Sequence, residues 1–301
     1  MKNFYQINRA LAAKKKVLVL VAAVMAVVMS AKAEVEFAYE AGAELVSAYI
    51  WRGMYNGGLS LQPEGLVGFN ALDEAIQFRG GVWASVGASD WKFKTNGIEI
   101  PDVYNPNTYF MPEIDFIASL SAYGDSIGYN AYYYCDDGST HTSELWVGYN
   151  FSHFFGDKAG AYINWYTTVG GGGDVVPETD LKKLAKGQLE RQAFSTYIEL
   201  GYDYTFEDWG LTLGAQLGLS PWESPLYGND KFALVNIALN IHKEWEIGPC
   251  TLDLFAVGSL NPDGMVTDKT DPAYNVFVDA AGDDKLYNQK LNGCIGLGVW
   301  F

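Results

Sequence analysis

Ten charged residues of this chain sit at alternate positions inside otherwise apolar segments: Glu40, Glu44, Arg52, Glu64, Arg79, Asp115, Glu144, Glu199, Asp203 and Asp253. Their immediate neighbours include Tyr39, Leu45, Trp51, Phe78, Phe116, Leu145 and Leu254. A period of two places the charges on one face of an extended strand and the apolar residues on the other. The chemistry open to a one-sided row of carboxylates is electrostatic. Beside a water-filled space it attracts small cations and repels anions. Acids outnumber Arg52 and Arg79 in this row, so the favoured solutes are small and cationic or neutral. The competing expectation is that the two Arg pair with facing Glu and Asp and brace a filled interior.

Other reactive residue types are sparse. The histidines are His141, His153 and His242. His141 has Ser139 and Ser143 nearby, which is the minimum for an acyl hydrolase, but no G-x-S-x-G segment accompanies it. Asp136-Asp137-Gly138 and Gly173-Asp174 are the nearest metal candidates in the middle of the chain, and neither extends into a calcium-loop pattern. Asp263, Asp268, Asp271 and the pair Asp283-Asp284 offer carboxylates for Ca²⁺ or for bridging to lipopolysaccharide, with solvated loop charge as the plainer reading. No metal or other cofactor is expected. Cys135, Cys250 and Cys294 are odd in number and widely spaced, so they form neither a zinc pattern nor a disulfide framework. A Cys250–Cys294 bridge is sterically open on adjacent strands, and free thiols are the simpler expectation.

Strands must position these residues. Alternation predicts twelve, over 36–52, 59–71, 75–89, 113–123, 126–135, 142–151, 158–169, 193–206, 210–220, 231–243, 250–260 and 290–301. In 193–206, Phe194, Thr196, Ile198, Leu200, Tyr202, Tyr204 and Phe206 alternate with Ser195, Glu199, Gly201, Asp203 and Thr205. The connections sort by parity. Every even one is short, and the odd ones include the long segments 90–112, 170–192 and 261–289, with one or two helical turns expected within 181–191. A soluble β-sandwich has no reason to sort its loops this way. A transmembrane antiparallel up-and-down β-barrel of about 12 strands does, with long external loops and short periplasmic turns. Gly (33), Tyr (20) and Trp (9) are abundant, as expected where small residues fill strands and aromatic girdles mark two interfaces.

Residues 1–33 read as a secretory signal: Arg9 and Lys14 to Lys16, an apolar run over 17–29, then Ala31-Lys32-Ala33. The run is shorter than the roughly 20 residues of a membrane helix. Cleavage after Ala33 leaves 34–301 as one barrel domain. It also removes six Lys and Arg and no acid, taking the formal net charge from −16 to −22. Such a chain is unsuited to nucleic acid, whose binding depends on Lys and Arg neutralising phosphates.

The last strand alternates Leu291, Gly293, Ile295, Leu297 and Val299 and stops on Phe301. It resembles the closing strand of bacterial outer-membrane barrels, which implies that Phe301 is an assembly signal read by the barrel assembly machinery. Near the predicted mature start, Ser47-Ala48-Tyr49-Ile50-Trp51-Arg52-Gly53 resembles the Ser-x-Tyr-x-x-Arg-Gly opening of the TorF family of porin-like Gram-negative outer-membrane barrels. Ser47, Tyr49, Arg52 and Gly53 carry the match, followed by a Gly/Asn-rich turn and Pro63. The resemblance implies an outer-membrane channel without naming its solute; the implied surroundings are lipid and lipopolysaccharide. A barrel that works as an adhesion or assembly protein through its external loops is the alternative. Trp91, Phe93, Tyr104, Tyr109 and Phe110 in 90–112 would then form either a constriction or a binding patch.

Overall fold

The computed structural model describes residues 35–72, 75–87, 94–95, 98–99, 113–134, 141–155, 159–172, 174–262 and 291–301. Twelve antiparallel strands close into one barrel. In chain order they are β1 (Val35–Val46), β2 (Ser60–Ala71), β3 (Ile76–Gly87), β4 (Glu113–Ala122), β5 (Asp125–Tyr134), β6 (His141–Asn150), β7 (Ala159–Gly171), β8 (Thr196–Phe206), β9 (Leu211–Ser220), β10 (Ala233–Ile247), β11 (Cys250–Leu260) and β12 (Leu291–Trp300). Each pairs with its neighbours in sequence, and β12 returns to β1. The connections 72–75, 123–124, 151–158, 207–210 and 248–249 join strands at one end, and all those longer than eight residues lie at the other, with the short 135–140.

The alternation sorts side chains as the sequence predicts. Phe37, Tyr39, Val67, Phe116, Val147, Leu239, Ile295 and Leu297 are exposed on the outer wall. Asp115, Glu144, Ser259 and Asn292 are buried on the inner one. An apolar exterior around a polar interior inverts the soluble pattern and suits a closed sheet in lipid, where every strand must pair. Among the described residues no helix is long and apolar enough to cross a membrane.

Much of the inner surface is built from rings lying on glycine. Trp146 lies over Gly128 directly opposite on β5, Tyr162 over Gly201, Phe255 over Gly296 and Trp300 over Gly42. A Cβ at any of these glycines would sit 2.1 to 2.3 Å from the ring. The high glycine content thus makes room for inward aromatics.

One feature departs from the sequence reading. The first strand stops at Val46 rather than running to 52. Ser47 hydrogen-bonds Ile295 twice, by its backbone N–H to the carbonyl (2.8 Å) and by its hydroxyl from the backbone N–H (2.9 Å). That makes a last rung, and the chain then turns inward as a hairpin of Tyr49–Trp51 with Met54–Gly57. Alternation continues through Trp51, but Tyr49 is only 9% exposed, so its apolar face meets the interior and not lipid. The helical stretch expected in 181–191 is a single turn, Leu181–Leu184, capped by the Asp180 side chain. Cys250 and Cys294 are free. Val257 is the residue opposite Cys294, seven positions along β11 from Cys250, or roughly 24 Å at the strand rise.

The closing seam is short. Residues Gly42 to Val46 pair with Trp300 to Gly296, and Phe301 extends the ladder by exchanging backbone hydrogen bonds with Ala41 at 2.9 and 3.3 Å. Its ring is 61% exposed on the outside. Deleting Phe301 removes the last rung of the seam, with its two hydrogen bonds, and the apolar terminus. We expect a several-fold loss of membrane-inserted, heat-modifiable protein, measured on gels of purified membranes. Insertion at wild-type levels would remove the assembly role from this residue.

Candidate functional site

The inward hairpin carries Arg52 into the long-loop end of the barrel. Its guanidinium meets Glu144 of β6 in a two-pronged contact, Nη1 to Oε2 at 2.6 Å and Nη2 to Oε1 at 2.8 Å. Nη1 also donates to the Tyr227 hydroxyl at 2.6 Å. Aromatic faces surround it, with the guanidinium carbon 3.9 Å from the ring centre of Tyr166, 4.6 Å from Trp51 and 5.0 Å from Tyr197. Trp51 stacks on Tyr227, and Tyr227 on Tyr197. Glu144 is fully buried and also accepts from the Tyr132 hydroxyl at 2.8 Å. Burial alone would push the Arg52 guanidinium towards losing its charge; the Glu144 carboxylate and the surrounding hydroxyls outweigh that and hold it protonated.

Each motif residue has a physical task here. Ser47 ends β1. Tyr49 packs on Trp83, ring centres 5.4 Å apart, and burial beside Glu113 and Asp115 pushes its hydroxyl pKa well up. Arg52 makes the ion pair. Gly53 has φ +84°, and a Cβ there would lie 2.5 Å from the Val235 carbonyl oxygen, so only glycine fits. Asn292 of β12 donates to the Gly53 carbonyl at 2.9 Å.

The predicted lumenal residues divide into groups. Arg52 and Glu144 form the cluster just described. Asp115 is buried beside Glu113 under Tyr49. Glu199 accepts from Tyr197 (3.0 Å) and Tyr162 (3.1 Å). Glu44 lies within electrostatic reach of Glu64, Asp253 and His242, Glu64 of Glu40, and Asp203 of His242. His242 Nδ1 is 3.1 Å from Asp253 Oδ2. Among the described residues Arg79 pairs with no acid: it donates to the backbone carbonyls of Phe78 (2.9 Å) and Phe69 (3.3 Å). Among the described residues the bracing expected of both Arg therefore holds for Arg52 alone.

Sequence reasoning missed Tyr132, Tyr166, Tyr197 and Tyr227. The first three share parity with Asn130, Asn164 and Glu199 on their strands, which was the available signal. Tyr227 sits in the loop 221–232, on a 3-10 turn (Pro225–Tyr227) that periodicity does not reveal. Asp174 is no metal ligand. It is fully buried and satisfied by the hydroxyls of Thr168 and Ser195, the Ser195 N–H (3.0 Å) and Gln192 Nε2 (2.8 Å), and so anchors the strap 172–195. His141 stacks on Tyr133 on the outer wall, and Ser143 bonds Tyr129, so the two do not engage each other. The side chain of His153, the segment 136–138, the acids at 263–284 and the aromatics of 90–112 lie outside the described residues. Among the described residues no His, Cys, Asp and Glu group is arranged to hold a metal.

Fold and bore together define a membrane-spanning β-barrel with a charged hairpin in its mouth. No family model matches the chain, and no curated protein matches it. Among solved structures it is similar to Salmonella typhi OmpF in complex with daunomycin (10% identity, TM-score 0.35, covering 89% of this chain and 98% of that one). It is also similar to a Pseudomonas aeruginosa FadL homologue (12% identity, TM-score 0.37, covering 88% and 75%). At these scores the likeness carries no argument, and both architecture and solute preference have to come from this chain's own residues.

Two outcomes follow. Gly53→Val forces a side chain into a left-handed backbone and against Val235. We expect it to expel the hairpin and cost about 2 kcal/mol or more, read as faster protease cleavage within 47–59. In the strap, Glu178 accepts from the Asp180 N–H and from Lys183, which hold its carboxyl below the ordinary value of 4.5. A depressed folded pKa means this contribution is present above about 4.5 and lost as pH falls through the lower folded value. The protection factors of amides in 175–192, taken relative to the intrinsic exchange rate at each pH, should therefore fall on acidification below that point, and Glu178→Gln should flatten the dependence.

Proposed function

We propose that the chain is a diffusion channel of a Gram-negative outer membrane that favours small cationic or neutral solutes, exported by a signal segment cleaved after Ala33. The observation that carries this is the charge balance of the bore. Glu40, Glu44, Glu64, Asp203 and Asp253 face inward. Among the described residues facing the bore, the cations are already engaged: Arg52 with Glu144, Arg79 with backbone carbonyls, His242 with Asp253. That leaves Glu40, Glu44, Glu64 and Asp203 without an ion-pair partner among the described residues, and such carboxylates in a low-dielectric tube concentrate cations and exclude anions. The Ser47, Tyr49, Arg52, Gly53 motif supports membership of the TorF family, whose members are porin-like barrels.

A second reading has its own support. The hairpin and Tyr227 fill the mouth around a fully buried carboxylate, which favours a plugged barrel that acts through its external loops. Planar-bilayer recording separates the two. A channel gives discrete openings with K⁺ permeability above Cl⁻, and neutralising Glu44, Glu64 and Asp253 (Glu44→Gln, Glu64→Gln, Asp253→Asn) lowers that ratio several-fold towards one. Absence of openings favours the plug. Anion preference overturns the cation reading.

A further inference from the structure

The two halves of the buried ion pair belong to different parts of the fold. Tyr132, Glu144, Tyr166 and Tyr197 stand on the consecutive wall strands β5, β6, β7 and β8. Arg52 comes to them on a hairpin folded in from the mouth. The wall groups also hold one another. Tyr132 donates to Glu144, Tyr197 bonds Glu199 and Asn236, and the rings of Tyr166, Tyr197 and Tyr227 pack at centre distances of 6.1 and 5.5 Å. The guest is less well suited to its place: Arg52 has φ 49°, a left-handed backbone that non-glycine residues seldom adopt.

We propose that this cage is a binding site for small guanidinium-bearing solutes, and that Arg52 is a built-in guest which an incoming cation displaces. Glu144 offers a planar two-oxygen acceptor to a planar fork, the Tyr227 oxygen accepts a further N–H, and Tyr166 and Tyr197 present ring faces to the cation. An ammonium supplies charge without the fork and fits less well. The site deepens the channel reading and rests on it for the route by which a solute reaches and leaves the cage. Binding itself needs no conduction.

Thermal unfolding of the detergent-folded full chain tests this, with methylguanidinium, methylammonium and sodium chlorides compared at equal ionic strength. In Arg52→Ala the cage is vacated, and methylguanidinium should raise the unfolding temperature saturably, more than methylammonium and more than sodium. In wild type the titration midpoint should lie at least about tenfold higher, because the tethered Arg52 competes at millimolar effective concentration or above. The double variant Arg52→Ala, Glu144→Gln should not respond selectively. Should Arg52→Ala fail to fold, Arg52→Lys keeps a weaker guest, and its midpoint should fall between the ranges expected of an empty and an Arg-filled cage. Equal responses to methylguanidinium and sodium, equal midpoints in wild type and variant, or an unchanged response without Glu144 would overturn the site. Wild-type K⁺ over Cl⁻ selectivity, recorded separately, can fail while the cage stands.

Discussion

Everything in this structure depends on closing a sheet whose edges cannot face hydrocarbon. An unpaired strand edge in lipid leaves N–H and C=O groups unsatisfied at several kcal/mol each, so the last strand must find the first. Here the seam is Gly42 to Val46 against Gly296 to Trp300, with Phe301 and Ser47 each adding a rung at one end. Ser47 shows how closure and function meet. Its hydroxyl replaces a backbone acceptor just where β1 must leave the wall. The chain can then turn inward without abandoning the Ile295 N–H.

The inward turn sets the next requirement. A guanidinium and a carboxylate inside a protein each lose several kcal/mol of hydration, and a pair recovers this only with good geometry and with its remaining hydrogen-bonding groups satisfied. Arg52 and Glu144 meet both conditions through two short N–H···O contacts, the Tyr227 and Tyr132 hydroxyls and three ring faces. Removing either partner strands the other, which costs roughly 3–5 kcal/mol. Lys in place of Arg52 would keep the charge and lose the fork. The conformation that brings Arg52 there in turn requires Gly53, since Val235 stands where a Cβ would be. A four-residue pattern that reads as a family opening is, in space, one mechanical unit from strand end to buried ion pair.

That unit marks the boundary of what the sequence makes legible. Period two identifies all twelve barrel strands, because lipid on one side and polar groups on the other imprint the alternation on each. It cannot show where a strand departs from the wall, since Tyr49 and Trp51 are as apolar facing a packed interior as they would be facing lipid. For the same reason the inward faces of Arg52 and Glu144 are readable, but their contact is not: it joins residues 92 apart in sequence through a fold-back that no local rule encodes. Asp174 illustrates the converse. An acid beside glycines looks like a ligand in sequence, while its surroundings, Thr168, Gln192 and Ser195, come from both ends of the strap it fastens.

The two charge groups of the bore then differ in kind, and the difference follows from hydration. Glu144 is dry and saturated with donors, so it discriminates by shape: only a group that supplies the donors Arg52 supplies can replace it. Glu40, Glu44, Glu64 and Asp203 remain partly or fully exposed to the bore. There they act by charge through water, with screening over about 8 to 10 Å at physiological salt. Under the proposed channel reading, a mouth that selects by shape followed by an acidic passage that selects by charge requires no moving wall. Exchange of one cation for another at Glu144 conserves the local charge, so displacing the hairpin need not expose a bare buried carboxylate, the state whose cost otherwise keeps Arg52 in place.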